Sequence, residues 1–133
     1  MSQNKYSINL KVNGDHIDAL DHVNNVQYLH WVQDIAEMHW AVLSTSDINS
    51  KYVWVVLRHE IDYLQAAVLS DSIEIITWIG NTYGVKSERF VEIKKDSKLL
   101  ARAKTIWCLL DRVTMKPSKI PLEIIHLLEI NKG

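Results

Sequence analysis

Five stretches of the chain alternate apolar and polar residues with a period of two, and two others follow a period near 3.6. Tyr6, Ile8, Leu10 and Val12 are interleaved with Ser7, Asn9 and Lys11 before Asn13-Gly14 interrupts them, which predicts a first strand with one wet face. From Asn24 to about Leu43 the period lengthens. Tyr28, Val32, Ile35, Ala36, His39, Trp40 and Leu43 form a broad apolar stripe, and Gln27, His30, Gln33, Asp34 and Glu37 form the polar side. The pattern predicts a helix of about 20 residues, roughly 30 Å long, with Asn24 or Asn25 as its N-cap. A stripe that wide must lie against a sheet. Ser44 to Lys51, rich in Ser, Asp and Asn, reads as the loop that returns the chain to one.

Val53 to Tyr63 alternates again: Val53, Val55, Leu57, His59, Ile61 and Tyr63 are predicted to face one way, and Trp54, Val56, Arg58, Glu60 and Asp62 the other. Three more strands follow, Ser72 to Tyr83, Lys86 to Lys95 and Leu99 to Asp111, joined by turns at Tyr83-Gly84 and Asp96-Ser97. They read as an antiparallel meander. Beyond Pro117, Leu122 to Ile130 is a short amphipathic helix with Pro121 at its first turn. The order is that of an α+β protein in which an antiparallel sheet wraps one long helix. With no repeat and no linker, residues 1–133 are expected to form a single domain.

Composition narrows the function. A chain with 47% hydrophobic and 23% charged residues is not a disordered one. Its formal charge of -1 gives no electrostatic case for nucleic acid. No stretch approaches the roughly 20 apolar residues of a membrane span, and no apolar run opens the chain, so a cytoplasmic protein is expected. The single Cys108 sits between Ile106, Trp107, Leu109 and Leu110 and reads as a reduced, buried packing residue. Four glycines, none in a phosphate-binding pattern, leave nucleotide and dinucleotide binding without support.

The stretch Gly14 to Tyr28 carries the candidate chemistry. It packs Asp15, His16, Asp18, Asp21, His22, Asn24 and Asn25 into a turn that opens the long helix. The first amides of a helix and the positive end of its dipole suit an oxygen that develops negative charge. A carboxylate just ahead of them, Asp18, suits a base or a nucleophile. The alternative for Asp18 is a residue that only caps the turn. The cluster also contains metal-ligand types, but it matches neither a calcium loop nor a zinc-binding helix, so no metal and no cofactor are expected.

Asp18, three spacers, then His22-Val23-Asn24-Asn25 and Tyr28 resemble hotdog-fold acyl-CoA thioesterases of the 4-hydroxybenzoyl-CoA thioesterase type, which include bacterial long-chain acyl-CoA and acyl-carrier-protein thioesterases. Further matches are Arg58-His59-Glu60-Ile61-Asp62-Tyr63-Leu64, Ala67-Val68-Leu69-Ser70-Asp71, Ala101-Arg102-Ala103, Pro117 and Ile120-Pro121, so nearly the whole chain is covered. Asp21 stands where many relatives have Gly, which bears on the loop conformation. Ala66-Ala67 stands where many have Pro-Ala.

The resemblance implies the hotdog fold, with the family's carboxylate at Asp18 and the amide that polarises the thioester carbonyl near Asn25. His22, Asn24, Tyr28 and Arg58 are expected to meet the substrate, while Asp15 and Asp21 are expected to be solvated or turn-forming. Arg58, Lys86, Arg89 and Arg102 are candidates for coenzyme A phosphates, and His59 is expected to be a satisfied core histidine. The expected reaction is hydrolysis of an acyl-CoA or acyl-ACP thioester. The alternative is a non-catalytic acyl-thioester-binding hotdog protein; a dehydratase on the same fold is a third reading.

A homodimer is expected on areas alone. Five strands at about 4.8 Å make a sheet roughly 24 Å wide, whereas one helix covers about 10–12 Å. Trp54, Val56, Ile76, Trp78, Ile106 and Cys108 should then include an uncovered apolar patch. The resemblance adds that such dimers often pair into homotetramers.

Overall fold

A computed structural model describes residues 4–133, and the statements below concern those residues. The elements are β1 (Tyr6–Lys11), α1 (Asn25–Leu43), α2 (Ser46–Lys51), β2 (Tyr52–Tyr63), β3 (Ser72–Tyr83), β4 (Lys86–Lys95), β5 (Lys98–Asp111) and α3 (Leu122–Ile130), with a 3-10 turn at Gly14–His16. The strands form one antiparallel sheet in the order β1-β3-β4-β5-β2. This is the hotdog fold, with α1 packed across one face. β1 and β2 are its two edges although they flank α1 in sequence, so the helix carries the chain from one edge to the other. Among the described residues, no helix is long and apolar enough to cross a membrane.

Asn24 is the N-cap of α1, its side-chain oxygen accepting the Val26 N–H at 2.9 Å. Such a cap contributes about 1 kcal/mol. Tyr28, Val32, Ile35, Ala36 and His39 are buried as the stripe predicts, and so is Trp31, which the stripe omitted. Trp31 is enclosed because the 3-10 turn before the helix folds His16 edge-on against its indole, with centroids 5.1 Å apart. The Asp96-Ser97 turn forms with both residues at positive φ, the backbone of a two-residue hairpin.

Three expectations about the fold are corrected. Ser44 to Lys51 is not simply a loop, because Ser46–Lys51 forms α2. Thr45 caps it by accepting the Ile48 N–H at 3.1 Å, and the burial of Ile48 anchors it. The uninterrupted alternation expected in β2 is broken by a bulge at Leu57: Val56 pairs with Trp107, and Arg58 with Ile106. One extra residue flips the strand's phase. Trp54 therefore packs edge-on against Trp40 of α1, while His59 and Ile61 lie on that same helix side.

The third correction follows from the bulge. Trp54 and Val56 do not belong to the sheet face away from the helix, where Ile76, Trp78, Ile106 and Cys108 do sit. That face is also less apolar than expected. Trp78 stacks on Phe90 under the Lys5 ammonium, beside the ion pairs Lys104–Glu88, Lys94–Glu92 and Arg102–Asp62. Cys108 is buried, in keeping with a packing role.

The helix side of the sheet is layered. One apolar cluster, including Tyr28, Val32, Ile35, Ile73, Ile75, Val91 and Ile93, lies under the first half of α1. A second, of Ile48, Ile79, Leu109, Ile120, Ile124 and Leu128, joins α2 and α3 to the sheet. Between them runs a buried polar belt of Thr77, Ser87, Arg89 and Thr105, with His39 above it on α1. The sheet register places Arg89 opposite Thr105, and Thr105 opposite His59.

Candidate active site

The loop ahead of α1 is a short hairpin closed by its own backbone. The Asp18 N–H donates to the His22 carbonyl at 2.8 Å, and the Asp21 N–H to the Asp18 carbonyl at 3.1 Å, leaving Ala19, Leu20 and Asp21 as the connection. A three-residue connection of this kind ends on a residue in the left-handed region, and Asp21 has φ +62. Asp21 therefore adopts a conformation that glycine takes without steric penalty, at a cost of about 1 kcal/mol. The turn is tied to the rest of the fold. Ile17 bridges Val23 and His22 bridges Val68, while the Val23 N–H donates to the Ala67 carbonyl at 2.9 Å and the Asn24 N–H to the His16 carbonyl at 3.0 Å. The buried side chain of Val23 pins its centre.

These contacts hold Asp18 by one oxygen. Oδ1 accepts N–H groups from Leu20 at 2.8 Å and His22 at 3.3 Å, which fixes the carboxylate on the turn. Oδ2 meets no donor among the described residues. At the helix start, Val26 N–H is used by the cap and Gln27 N–H donates to the Asn24 carbonyl at 2.8 Å, whereas Asn25 N–H makes no hydrogen bond among the described residues. A half-buried carboxylate with one free oxygen and an unspent helix-terminal amide thus belong to one hydrogen-bonded unit. A carboxylate with a free oxygen can activate a nucleophile, and an unspent helix-terminal amide can stabilise an oxyanion.

The other expected residues are distributed differently. His22 and Asn24 are exposed within the same unit. Tyr28 is buried, and its hydroxyl accepts the Ala67 N–H at 3.0 Å, so it braces the loop from below. Burial raises its phenol pKa above the ordinary value. Tyr63, at the end of β2, donates to the Asn25 carbonyl at 3.4 Å and packs edge-on against Tyr28, which ties β2 to the helix start. The sequence reading did not single out Tyr63; its aromatic neighbours are distant in the chain.

Arg58 is not brought to this loop by any described contact. It is exposed on the sheet face away from α1, 2.9 Å from Glu60. Asp15, His16, Asp18, Asp21 and His22 do not converge as ligands: among the described residues no three His, Cys, Asp or Glu side chains are placed to hold one metal ion.

Arg89 departs most from expectation. It does not lie at the surface with Lys86 and Arg102 but is 7% exposed in the polar belt under α1. Its Nη1 bonds His39 Nδ1 at 2.8 Å and Thr77 Oγ1 at 3.2 Å. Burial, with the Arg89 charge as the second cause, pushes the His39 pKa down to about 4, so His39 is a neutral acceptor at pH 7. Burial also lowers Arg89 to about 10. His59 is only partly satisfied: Nδ1 bonds Thr105 Oγ1 at 2.8 Å, but Nε2 is buried without a partner, as is Trp107 Nε1. Beside the belt, a cavity of about 270 Å³ opens between the C-terminal half of α1 and strands β2, β4 and β5.

The fold is that of the hotdog thioesterases. Residues 3–128 match the family model described as the acyl-ACP thioesterase N-terminal domain, and the chain belongs to that family. It is similar to the long-chain acyl-CoA thioesterase FadM of Escherichia coli (strain K12), 28% identical over 127 residues that cover 90% of this chain and 94% of that protein. It is also similar to the crystal structure of YbaW, a probable thioesterase from Escherichia coli, with a TM-score of 0.82 and 26% identity over 96% of this chain and 98% of that one. The predicted thioesterase from Bacillus stearothermophilus shares the fold at a TM-score of 0.87 and 18% identity, covering 97% of each chain. The activity that the family and fold define is hydrolysis of acyl thioesters.

Proposed function

We propose that Asp18 is the catalytic carboxylate and the Asn25 N–H the oxyanion donor in hydrolysis of an acyl-CoA or acyl-ACP thioester by a single cytoplasmic hotdog domain. The observation that carries this reading is that one braced turn holds both a free Asp18 Oδ2 and an unspent Asn25 amide. Asp18 can take a proton from water as the oxygen attacks the carbonyl carbon. It can instead attack that carbon itself, forming an anhydride that water then opens. Either way the C–S bond breaks, the thiolate takes up a proton to leave as thiol, and the carbonyl oxygen draws on the helix-end amide while its charge is largest. His22 and Asn24 flank this position and serve the substrate's polar groups. Arg58 would meet the carrier only from the outer sheet face.

In the same reading two copies pair through β2. β2 has 12 residues, roughly 40 Å of strand, and pairs with β5 alone, so its other edge lacks a partner among the described residues. Long open edges are templates for a further strand, and a twofold pairing is self-complementary. Antiparallel pairing of β2 with its copy would set Tyr52–Trp54, which line the cavity, near the far end of the partner strand, where Tyr63 reaches the helix start. Two such dimers would make a tetramer.

The test is thiol release from acyl-CoA and acyl-ACP esters by the wild type and by Asp18→Asn. Loss of about 10²–10⁴ in rate with the fold retained is expected. Full turnover by the folded variant would refute the assignment, and no turnover of any thioester by the wild type would favour the non-catalytic alternative. Light scattering at micromolar concentration should give a multiple of 15.4 kDa; a fully active single chain would refute the pairing.

A further inference from the structure

The cavity beside the polar belt has a composition that a plain hydrocarbon chain does not need. Trp40, Trp54 and Trp107 supply aromatic walls and Leu128 an aliphatic one, which suit an extended apolar chain. Arg89 and Ser87, both buried, also line it. No carboxylate lies within ion-pair distance of Arg89 among the described residues, although Glu37 shares the same lining. Its protein partners, His39 and Thr77, are neutral acceptors and both are served by Nη1. Nε and Nη2 have no acceptor among the described residues, and neither is among the buried atoms sealed off without a partner. The Nε–Nη2 edge is the side of a guanidinium that grips a carboxylate through two parallel N–H groups. A buried cation without a counter-charge is costly, and a bound anion offsets that cost.

We propose that this cavity receives the remote end of an acyl group that terminates in a carboxylate, held by the Nε–Nη2 edge of Arg89 with the three tryptophans packing along the chain. The preferred substrates are then ω-carboxyacyl thioesters rather than plain fatty acyl thioesters. The Arg89 charge is retained at neutral pH, since its pKa of about 10 remains well above 7. His39 does not compete as a cation there. For the thioester end alone the proposal rests on the thioesterase reading and on the pairing that sets the cavity near the partner's helix start; what the cavity binds can be measured without turnover.

Two measurements separate the proposals. The first compares kcat/KM for thiol release from dodecanedioyl-CoA and dodecanoyl-CoA, with shorter and longer pairs alongside. The wild type should favour the ω-carboxyl member of the best pair by about tenfold or more, the worth of a charged hydrogen bond. Arg89→Met should remove that preference, and Arg89→Lys should keep part of it. The second follows quenching of tryptophan fluorescence by the monomethyl ester of dodecanedioate and by methyl dodecanoate, which differ only at the far end. Tighter binding of the carboxyl-bearing ester is expected. Equal binding of the two esters overturns the proposal whether or not any thioester is cleaved, and a preference that survives folded Arg89→Met overturns the role of Arg89. If Arg89→Met fails to fold, Arg89→Lys and the wild-type ester comparison decide.

Discussion

Protonation of His39 should be the step that makes this protein sensitive to mild acid. The ring is 5% exposed, stacked on Tyr6 of β1 at 5.2 Å and bonded to the Arg89 guanidinium of β4, with Thr77 of β3 on the same guanidinium nitrogen. Burial first and the Arg89 charge second hold its pKa near 4, against 6.5 for the free side chain. As pH falls through 6.5 the unfolded chain takes up a proton that the folded chain refuses until about pH 4. The unfolded state therefore binds more protons across that window, and stability falls with pH, to level off below it. The gap corresponds to about 3 kcal/mol, a large part of the 5–15 kcal/mol typical of a domain.

The assay is urea unfolding at a series of pH values between 7 and 4, for the wild type and His39→Asn. Asn places an oxygen where Nδ1 accepts from Arg89 but does not titrate in this range. His59, also lowered by burial, contributes in both proteins and cancels in the difference. The wild type should lose about 3 kcal/mol more than the variant between pH 6.5 and 4. Equal acid sensitivity of the two would refute the reasoning, since it would mean that His39 takes up its proton as readily in the folded chain as in the unfolded one.

Asp21→Gly should raise stability by up to about 1 kcal/mol, because Gly takes φ +62 without the strain of a side chain, and the thioesterase rate should be kept; urea midpoints and thiol release check both. Gly80→Ala should destabilise by about 1–3 kcal/mol, since its Cβ would sit 2.6 Å from Phe90 Cε2 and 3.2 Å from Glu88 Cβ; thermal unfolding reads the loss. Exhaustive chelation should leave thiol release unchanged, as the proposed carboxylate and helix amide would supply activation and charge stabilisation without a metal. Loss on chelation with recovery on adding a divalent ion would contradict that account.

Much of the molecule was legible from local pattern. α1, β3, β4 and α3 lie where the periodicities put them, because a face that must be buried imposes its own period on consecutive residues. The Asp18 turn could be read as well, since acids, amides and a helix start were packed into adjacent positions. Even Arg89 left a trace: it is in phase with Ser87, Val91 and Ile93, which are buried, and out of phase with Glu88, Glu92 and Lys94.

Tertiary structure alone decided the rest. The bulge at Leu57 is one residue whose phase change is defined by pairing with β5, and no alternation rule within β2 contains it. The order β1-β3-β4-β5-β2 depends on α1 crossing the sheet, not on any strand's own residues. Arg89 joins His39, 50 positions earlier, and Thr77, 12 earlier, so its environment exists only once β4 lies under α1. A cation in a strand is read as solvated by default because solvation is the cheapest arrangement for it. Only the packed helix shows that here the charge was carried inside.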